Sequence, residues 1–274
     1  MKVFVKNLIP PLLLKWMQFL FIRTDSFDLH QFHTYAEALL ACKKSAYDSE
    51  KLIKCIIRKN IDYKHAIKLN GTFDLAALRT IFGISLASEG KKLNVLDFGG
   101  GGGYHYTIAN TTLGKNKELK WNVVETALMV KEAQRISDHN LKFFDNIKDA
   151  KNDLGSVDVI FTSSTLQYLP DPLHQLRLLL EVGARYLFIT RTPFNDATDN
   201  IITLQTSRVS NHGPGPLPLG FEDEKIVCPI TYMCRKKIED VLREKYVIRF
   251  MINEGQFILE DKRFAMYGYF CELM

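Results

Sequence analysis

The apolar positions of this chain fall into two regimes. Between residues 34 and 59 they recur at Tyr35, Ala38, Leu39, Cys42, Ala46, Leu52, Ile53, Ile56 and Ile57, a partial stripe with helical spacing. Thr34 followed by Glu37 is the capping-box pattern that starts such a helix. Leu75, Leu78, Ile81, Phe82 and Leu86 predict a second helix over 73–88. No convincing strand precedes residue 93. From there, short apolar runs at 93–98, 119–124, 141–144, 157–162 and 186–190 alternate with helical stretches near 104–113, 126–138 and 170–183. That alternation predicts an α/β sheet with parallel strands. A helix over 232–244 then precedes two strand-like runs, 246–253 and 264–271, with no helix between them, so a closing β-hairpin is expected. The chain thus divides into an N-terminal helical extension or cap over 1–92 and an α/β domain over 93–274. Within the latter, the polar stretch 191–231 contains His212-Gly213-Pro214-Gly215-Pro216. A connection this long in a compact domain is usually functional or mobile.

Composition changes this picture little. Apolar residues make up 46% and charged residues 24% of 274 residues, the balance of a well-cored protein. The five cysteines are scattered with no C-x-x-C pair, which supports neither a zinc knuckle nor a disulfide framework and fits a reducing, cytoplasmic setting. His30 and His33 have helical metal spacing but no cluster of further ligands, and no metal is expected. Charge is uneven: residues 1–92 carry a net +7 and the remainder a net −2. Without a dense basic stripe or an aromatic-interleaved motif, nucleic acid is not an expected partner. The run Val3–Ile22 is strongly apolar, but Lys6, Asn7, Lys15 and Gln18 interrupt it and Pro10-Pro11 break it. It is a poor spanning helix and has no signal-cleavage site. Two readings stay open for residues 1–23: a helix lying peripherally on the inner face of a membrane, or one packed on the domain or on a second copy in a homodimer.

The chemistry concentrates after the first run of the sheet. Val95-Leu96-Asp97-Phe98 leads into five glycines, Gly99 to Gly103, and then a helix. Residues without Cβ let the backbone turn sharply and approach a ligand closely. The helix behind them directs free N–H groups and its positive end at the same space, which favours a carboxylate. A dinucleotide site would require G-x-G-x-x-G/A. The third small residue falls on Tyr104 in one register and His105 in the other, and both are bulky. A dinucleotide is therefore disfavoured.

Asp97-Phe98-Gly99-Gly100-Gly101-Gly102-Gly103 resembles the acidic-x-Gly-x-Gly-x-Gly signature of class I S-adenosylmethionine-dependent methyltransferases. The resemblance implies a Rossmann-like sheet of seven strands with only the last antiparallel. It implies S-adenosylmethionine as cofactor, with Asp97, Gly99, Gly101 and Gly103 at its methionine end. Glu125, at the carboxyl end of the second run, is positioned to accept hydrogen bonds from both ribose hydroxyls; its alternative is capping the following helix. Asp145 matches the family's acidic position near the adenine and equally suits a turn. The segment from Phe161 to Pro172, with Ser163 at the polar strand end, is similar to the corresponding loop of small-molecule methyltransferases. It lacks the Asp/Asn-Pro-Pro-aromatic sequence of enzymes that methylate amino groups, which shifts the acceptor toward oxygen or carbon.

A closer resemblance covers nearly the whole chain. Leu8-Ile9-Pro10-Pro11, Ala46-Tyr47-Asp48-Ser49, Leu96-Asp97-Phe98-Gly99-Gly100, Thr190-Arg191-Thr192-Pro193-Phe194 and Pro229-Ile230-Thr231-Tyr232 are similar to a family of bacterial methyltransferases associated with surface-polysaccharide biosynthesis. It implies O-methylation of a sugar or glycan acceptor, in which the insert 191–231 helps bind the acceptor. His105 and His212 are the candidate bases, and Arg191 and Tyr168 the candidate acceptor-binding residues. The alternative is a methyltransferase-like binding protein without turnover.

Overall fold

The computed structural model describes residues 26–42, 49–255 and 264–274. The expected membrane or subunit contact of residues 1–23 lies outside them. Ten strands form one continuous sheet system: β1 (Ser26–Phe32), β2 (Lys92–Phe98), β3 (Glu118–Val124), β4 (Leu141–Phe144), β5 (Val159–Ser163), β6 (Tyr186–Asn195), β7 (Ile201–Arg208), β8 (Lys225–Cys234), β9 (Tyr246–Gly255) and β10 (Phe264–Leu273). Seven of them run in the order β4-β3-β2-β5-β6-β10-β9. β10 is antiparallel to both its neighbours, and the other pairings in this set are parallel. This is the Rossmann-like arrangement expected from the sequence, closing hairpin included. The order reverses between β2 and β5, and ligands in open α/β sheets bind at the carboxyl ends of the strands at such a point.

The helices are α1 (Tyr35–Ala41), α2 (Glu50–Asn70), α3 (Leu75–Leu86), α4 (Tyr104–Leu113), α5 (Ala127–Ala133), α6 (Ile147–Leu154), α7 (Pro172–Leu180) and α8 (Arg235–Leu242). Side-chain alternation along the strands sorts them into two layers. Val95, Trp121, Val123, Phe161 and Phe188 face α2, α3, α4 and α5. Leu96, Val124, Ile160, Leu187 and Ile189 face α6, α7 and α8. The central strand β5 is buried along its whole length, as a parallel strand covered on both faces must be. Gly83 lets α3 press directly onto the sheet, since a Cβ there would lie 2.1 Å from the Phe188 ring.

Three expectations change. The single helix predicted over 34–59 is two helices. Ser49 caps α2 by accepting the Leu52 N–H at 3.2 Å, and α2 runs on to Asn70, where Gly71 terminates it in the left-handed conformation. Thr34 does cap α1, while Glu37 reaches back to the His33 N–H at 3.1 Å rather than to Thr34. Helix α6 was not expected, because only Ala150 and Leu154 of its eight residues are buried apolar positions.

The largest change concerns the N-terminal part and the insert. Residues 26–32, predicted free of strand, form β1, so His30 lies in a strand and not on a helix. The stretch 191–231 is not one polar loop. It contains the end of β6, all of β7 and most of β8. β7 pairs antiparallel with β1 on one side and β8 on the other. This small sheet joins the main one where Met233 and Cys234 run parallel to Phe194 and Asn195. Pro229 is tolerated inside β8 because only β7 flanks the strand there. The N-terminal segment and the insert are therefore built together, over the carboxyl edge of the main sheet.

Candidate functional site

Gly99 leaves β2 with φ +76° and its N–H donates to the Val124 carbonyl at 2.9 Å. Gly101 and Gly103 also have positive φ, and Gly103 begins α4. The five glycines serve different neighbours. Cβ atoms at 99, 100, 102 and 103 would strike Thr165, Asp97, Asn60 and Leu141, each closer than 3.0 Å. Only Gly101 faces open space, with Ile56 at 4.0 Å.

Two of the cavities bordered by the turn meet at Glu125. The larger, of about 510 Å³, is walled by Gly99 to Gly102, Tyr104, His105 and Ser163 on one side. Asn60, Asp74 and Arg79 come from the N-terminal helices, and Gln205, Ser207, Asn211 and His212 from the insert. The second, of about 420 Å³, is mainly apolar, with Phe98, Val124, Leu169, Pro170 and Pro229 in its wall and Asp145 at its mouth. Gly99, Glu125, Ser164 and Tyr168 belong to both.

Glu125 sits at the junction. One carboxylate oxygen accepts the Gly101 N–H and the other the Thr126 N–H, both at 3.0 Å. The helix-cap alternative for Glu125 does not hold, because Thr126 is the residue that caps α5. A carboxylate fixed by two backbone donors and half-buried between the cavities is oriented to accept from a pair of vicinal hydroxyls. Asp145 is exposed and accepts from Asn146, which itself caps α6, so the turn role and the place at the second cavity coexist.

Asp97 and Gly103 do not line either cavity. The Asp97 carboxylate is completely buried beneath Gly100, whereas the expectation was an interaction with the cofactor's amino end, directly or through water. One of its oxygens accepts from Trp121 Nε1 at 2.9 Å and lies 3.1 Å from His105 Nδ1. The other has no hydrogen-bond partner.

The candidate acceptor residues are present in the larger cavity with distinct environments. Arg191 is held in the left-handed region (φ +54°) at a bulge, where the register steps from Ile189↔Tyr269 to Thr192↔Tyr267. Ser164, at the end of β5, is the other non-glycine residue with positive φ among those described. Such conformations cost about 1–3 kcal/mol and cluster at functional sites. The bulge is clamped by Glu254, whose side chain is 1% exposed. It accepts the Arg191 N–H at 2.6 Å and the Thr190 hydroxyl, and pairs with Arg79 at 3.2 Å. The Tyr168 hydroxyl donates to Gln205 at 2.7 Å, and burial raises its pKa well above the ordinary range. Tyr104, whose hydroxyl bonds Asp74 at 3.3 Å, is raised too, chiefly by burial. Burial thus holds both phenols in the protonated form at neutral pH.

His212 has a lowered pKa of about 4, because burial and then the positive charge of Lys59 disfavour its protonation. Its Nε2 is 2.9 Å from the Ser207 hydroxyl. A base with so low a pKa takes a proton weakly near neutrality. Lys59 itself is 1% exposed, and burial lowers its pKa. Its ammonium donates to the carbonyls of Ser210 and His212, both at 2.8 Å, tying α2 to the insert. Lys59→Met keeps the apolar stem and leaves both carbonyls without this donor. We expect about 1–3 kcal/mol of destabilisation and faster amide exchange over residues 209–216; unchanged exchange there would show that the tie is dispensable.

Trp121, Asn60, Arg79 and Glu254 carry no sequence signal as site residues. They come from four separate elements, and only folding gathers them. Among the described residues no group of His, Cys, Asp or Glu is arranged to hold a metal, and no helix is long and apolar enough to cross a membrane.

No protein-family model matches this chain, and no curated protein does. Solved structures with similar folds include an S-adenosylmethionine-dependent methyltransferase from Clostridium acetobutylicum, at 13% identity and TM-score 0.45, covering 77% of this chain and 98% of that one. The [4+2]-cyclase SpnF is similar at 12% identity and TM-score 0.46, covering 72% and 80%. The 1,6-didemethyltoxoflavin-N1-methyltransferase of Burkholderia thailandensis is similar at 11% identity and TM-score 0.44, covering 80% and 88%. At such values the strand order and the cavity walls, rather than the likeness, carry the functional reading.

Proposed function

We propose that this chain is an S-adenosylmethionine-dependent methyltransferase acting on a hydroxyl of a sugar or glycan precursor. The observation that carries the reading is Glu125, fixed by the glycine turn at the junction of one polar and one apolar cavity. A nucleoside laid across that junction would direct its ribose at Glu125, its adenine into the apolar slot past Asp145, and its amino-acid end over Gly99 to Gly102. The open face of Gly101 fits close approach of such a ligand. When bound, S-adenosylmethionine supplies a methyl group on a sulfonium, with a neutral leaving group. The protein's share is then to orient the acceptor, exclude water and take up a proton.

The acceptor class rests on the chemistry of the larger cavity and on the resemblance to polysaccharide-associated methyltransferases. Asn60, Gln205, Ser207 and Asn211 offer neutral donors and acceptors suited to hydroxyl groups. Arg191, presented by its clamped bulge, suits a carboxylate or phosphate on the acceptor.

S-adenosylhomocysteine should bind with micromolar affinity in calorimetry. Charged hydrogen bonds contribute about 1.5–3 kcal/mol each, so Glu125→Ala should weaken binding by about 100-fold or more. Absence of heat and of thermal stabilisation in the wild-type chain would refute the cofactor reading. Transfer of labelled methyl to glycan extracts tests the acceptor class, and binding without transfer would favour a protein that has lost turnover.

A further inference from the structure

Asp97, the acidic residue of the glycine signature, does not reach the cavity, and its surroundings identify another task. It lies on the strand face that also carries Trp121 and Phe161. Trp121 can only donate, and a carboxylate can only accept. With Asp97 ionised, Nδ1 of His105, 3.1 Å from the same oxygen, is the donor in that contact. A neutral His105 ring so held has its lone pair on Nε2. Among the described residues that nitrogen makes no hydrogen bond, and the ring is part of the wall of the larger cavity. The ring plane is fixed by Phe161, edge-on at 4.6 Å between centroids, and by Tyr104 at 5.3 Å. Gly100 belongs to the same device, because a Cβ there would lie 2.3 Å from the carboxylate oxygen shared by Trp121 and His105.

We infer that Asp97 is a positioning residue for His105, held by Trp121, and that His105 Nε2 is the base that deprotonates the acceptor hydroxyl; this rests on the methyltransferase reading above. In the step, the hydroxyl oxygen forms a bond to the methyl carbon while the carbon–sulfur bond breaks and its electron pair stays on sulfur. The hydroxyl proton passes to Nε2. The resulting imidazolium is stabilised by the Asp97 carboxylate on its other side. Carboxylate–imidazole pairs of this kind set tautomer and orientation in hydrolase triads, where losing the carboxylate costs about 10⁴-fold in turnover. Here the pair is assembled from the second-last residue of β2 and the first turn of α4, which the glycine turn brings back beside each other.

The test combines imidazole nitrogen NMR on the full chain, with His105→Gln assigning the resonance, and calorimetry with S-adenosylhomocysteine. The wild-type neutral ring should carry its hydrogen on Nδ1. Asp97→Ala should lose that preference and populate the Nε2–H form. Where glycan extracts accept labelled methyl, His105→Gln should lose at least 100-fold in transfer while binding S-adenosylhomocysteine within about threefold of wild type. A wild-type ring with its hydrogen on Nε2, or near-wild-type transfer by His105→Gln, overturns the assignment and leaves the cofactor reading standing. A wild-type chain that binds no S-adenosylhomocysteine overturns both. Should Asp97→Ala fail to fold, the wild-type tautomer and His105→Gln still decide.

Discussion

Gly99→Ala is expected to cost about 2–5 kcal/mol of folding stability and to abolish measurable S-adenosylhomocysteine binding. Two independent penalties add. An alanine at φ +76° pays about 1–2 kcal/mol for a left-handed backbone. Its Cβ would also lie 2.1 Å from the Thr165 hydroxyl oxygen and 2.2 Å from its methyl. Overpacking of that kind costs about 1–3 kcal/mol. Thr165 cannot simply swing away at no cost, since it is β-branched and its hydroxyl donates to the Ser163 carbonyl at 3.1 Å. A double-mutant cycle separates the terms. Gly99→Ala with Thr165→Ala should recover the steric part, about half, and keep the backbone part. Urea unfolding of the four proteins reads the result; no recovery in the double variant would rule out Thr165 as the source of the clash. Gly101→Ala should behave oppositely. With no close neighbour at its Cβ it should lose only the backbone part, about 1–2 kcal/mol, while binding suffers severely.

Acid should destabilise the folded chain in a window set by His212. Its folded pKa of about 4 lies below the ordinary 6.5. Above pH 6.5 both folded and unfolded states hold a neutral ring, and the group adds no pH dependence. As pH falls from 6.5, the unfolded chain gains the proton and the folded chain does not, so stability is lost. The loss stops below about pH 4, where both states are protonated. By linkage the expected cost is about 2 kcal/mol at pH 5 and on the order of 3 kcal/mol at the acid end of the window. Urea unfolding at pH 7 and pH 5 measures it, and His212→Gln should remove most of the difference. An equal slope in that variant would assign the acid sensitivity to other groups. Lys59 links the two behaviours, because its buried ammonium helps keep His212 neutral and also holds the loop that carries it.

The elements legible in the sequence are those whose signal is local. The runs at 93–98, 119–124 and 141–144 reappear as β2, β3 and β4 within one residue. Periodicity and glycine chemistry suffice for these, since the apolar residues of β2 and β3 are mostly buried and the turn needs positive φ. The missed strand β1 and the hairpin of β7 and β8 have a different cause. In β7 the buried positions Thr203, Gln205 and Ser207 are polar, and Gln205 and Ser207 line the larger cavity, so the usual apolar period is absent there. Where a strand lines a ligand site, its pattern follows the ligand.

The glycine signature shows the same division within a single motif. Its sequence determined a sharp turn, a helix behind it and a nearby acidic partner, because backbone conformation and strand periodicity are written residue by residue. It also disfavoured a dinucleotide, through Tyr104 and His105. What it left undecided was the task of each member. Only the tertiary structure buried Asp97 under Gly100, set Trp121 and His105 on one of its oxygens, and turned Glu125 toward both cavities. It likewise brought Arg79, Glu254 and Arg191 together from α3, β9 and β6. Those contacts join residues up to 175 positions apart in the chain, and no local propensity encodes a contact that exists only once the sheet has closed and the insert has packed onto the N-terminal helices.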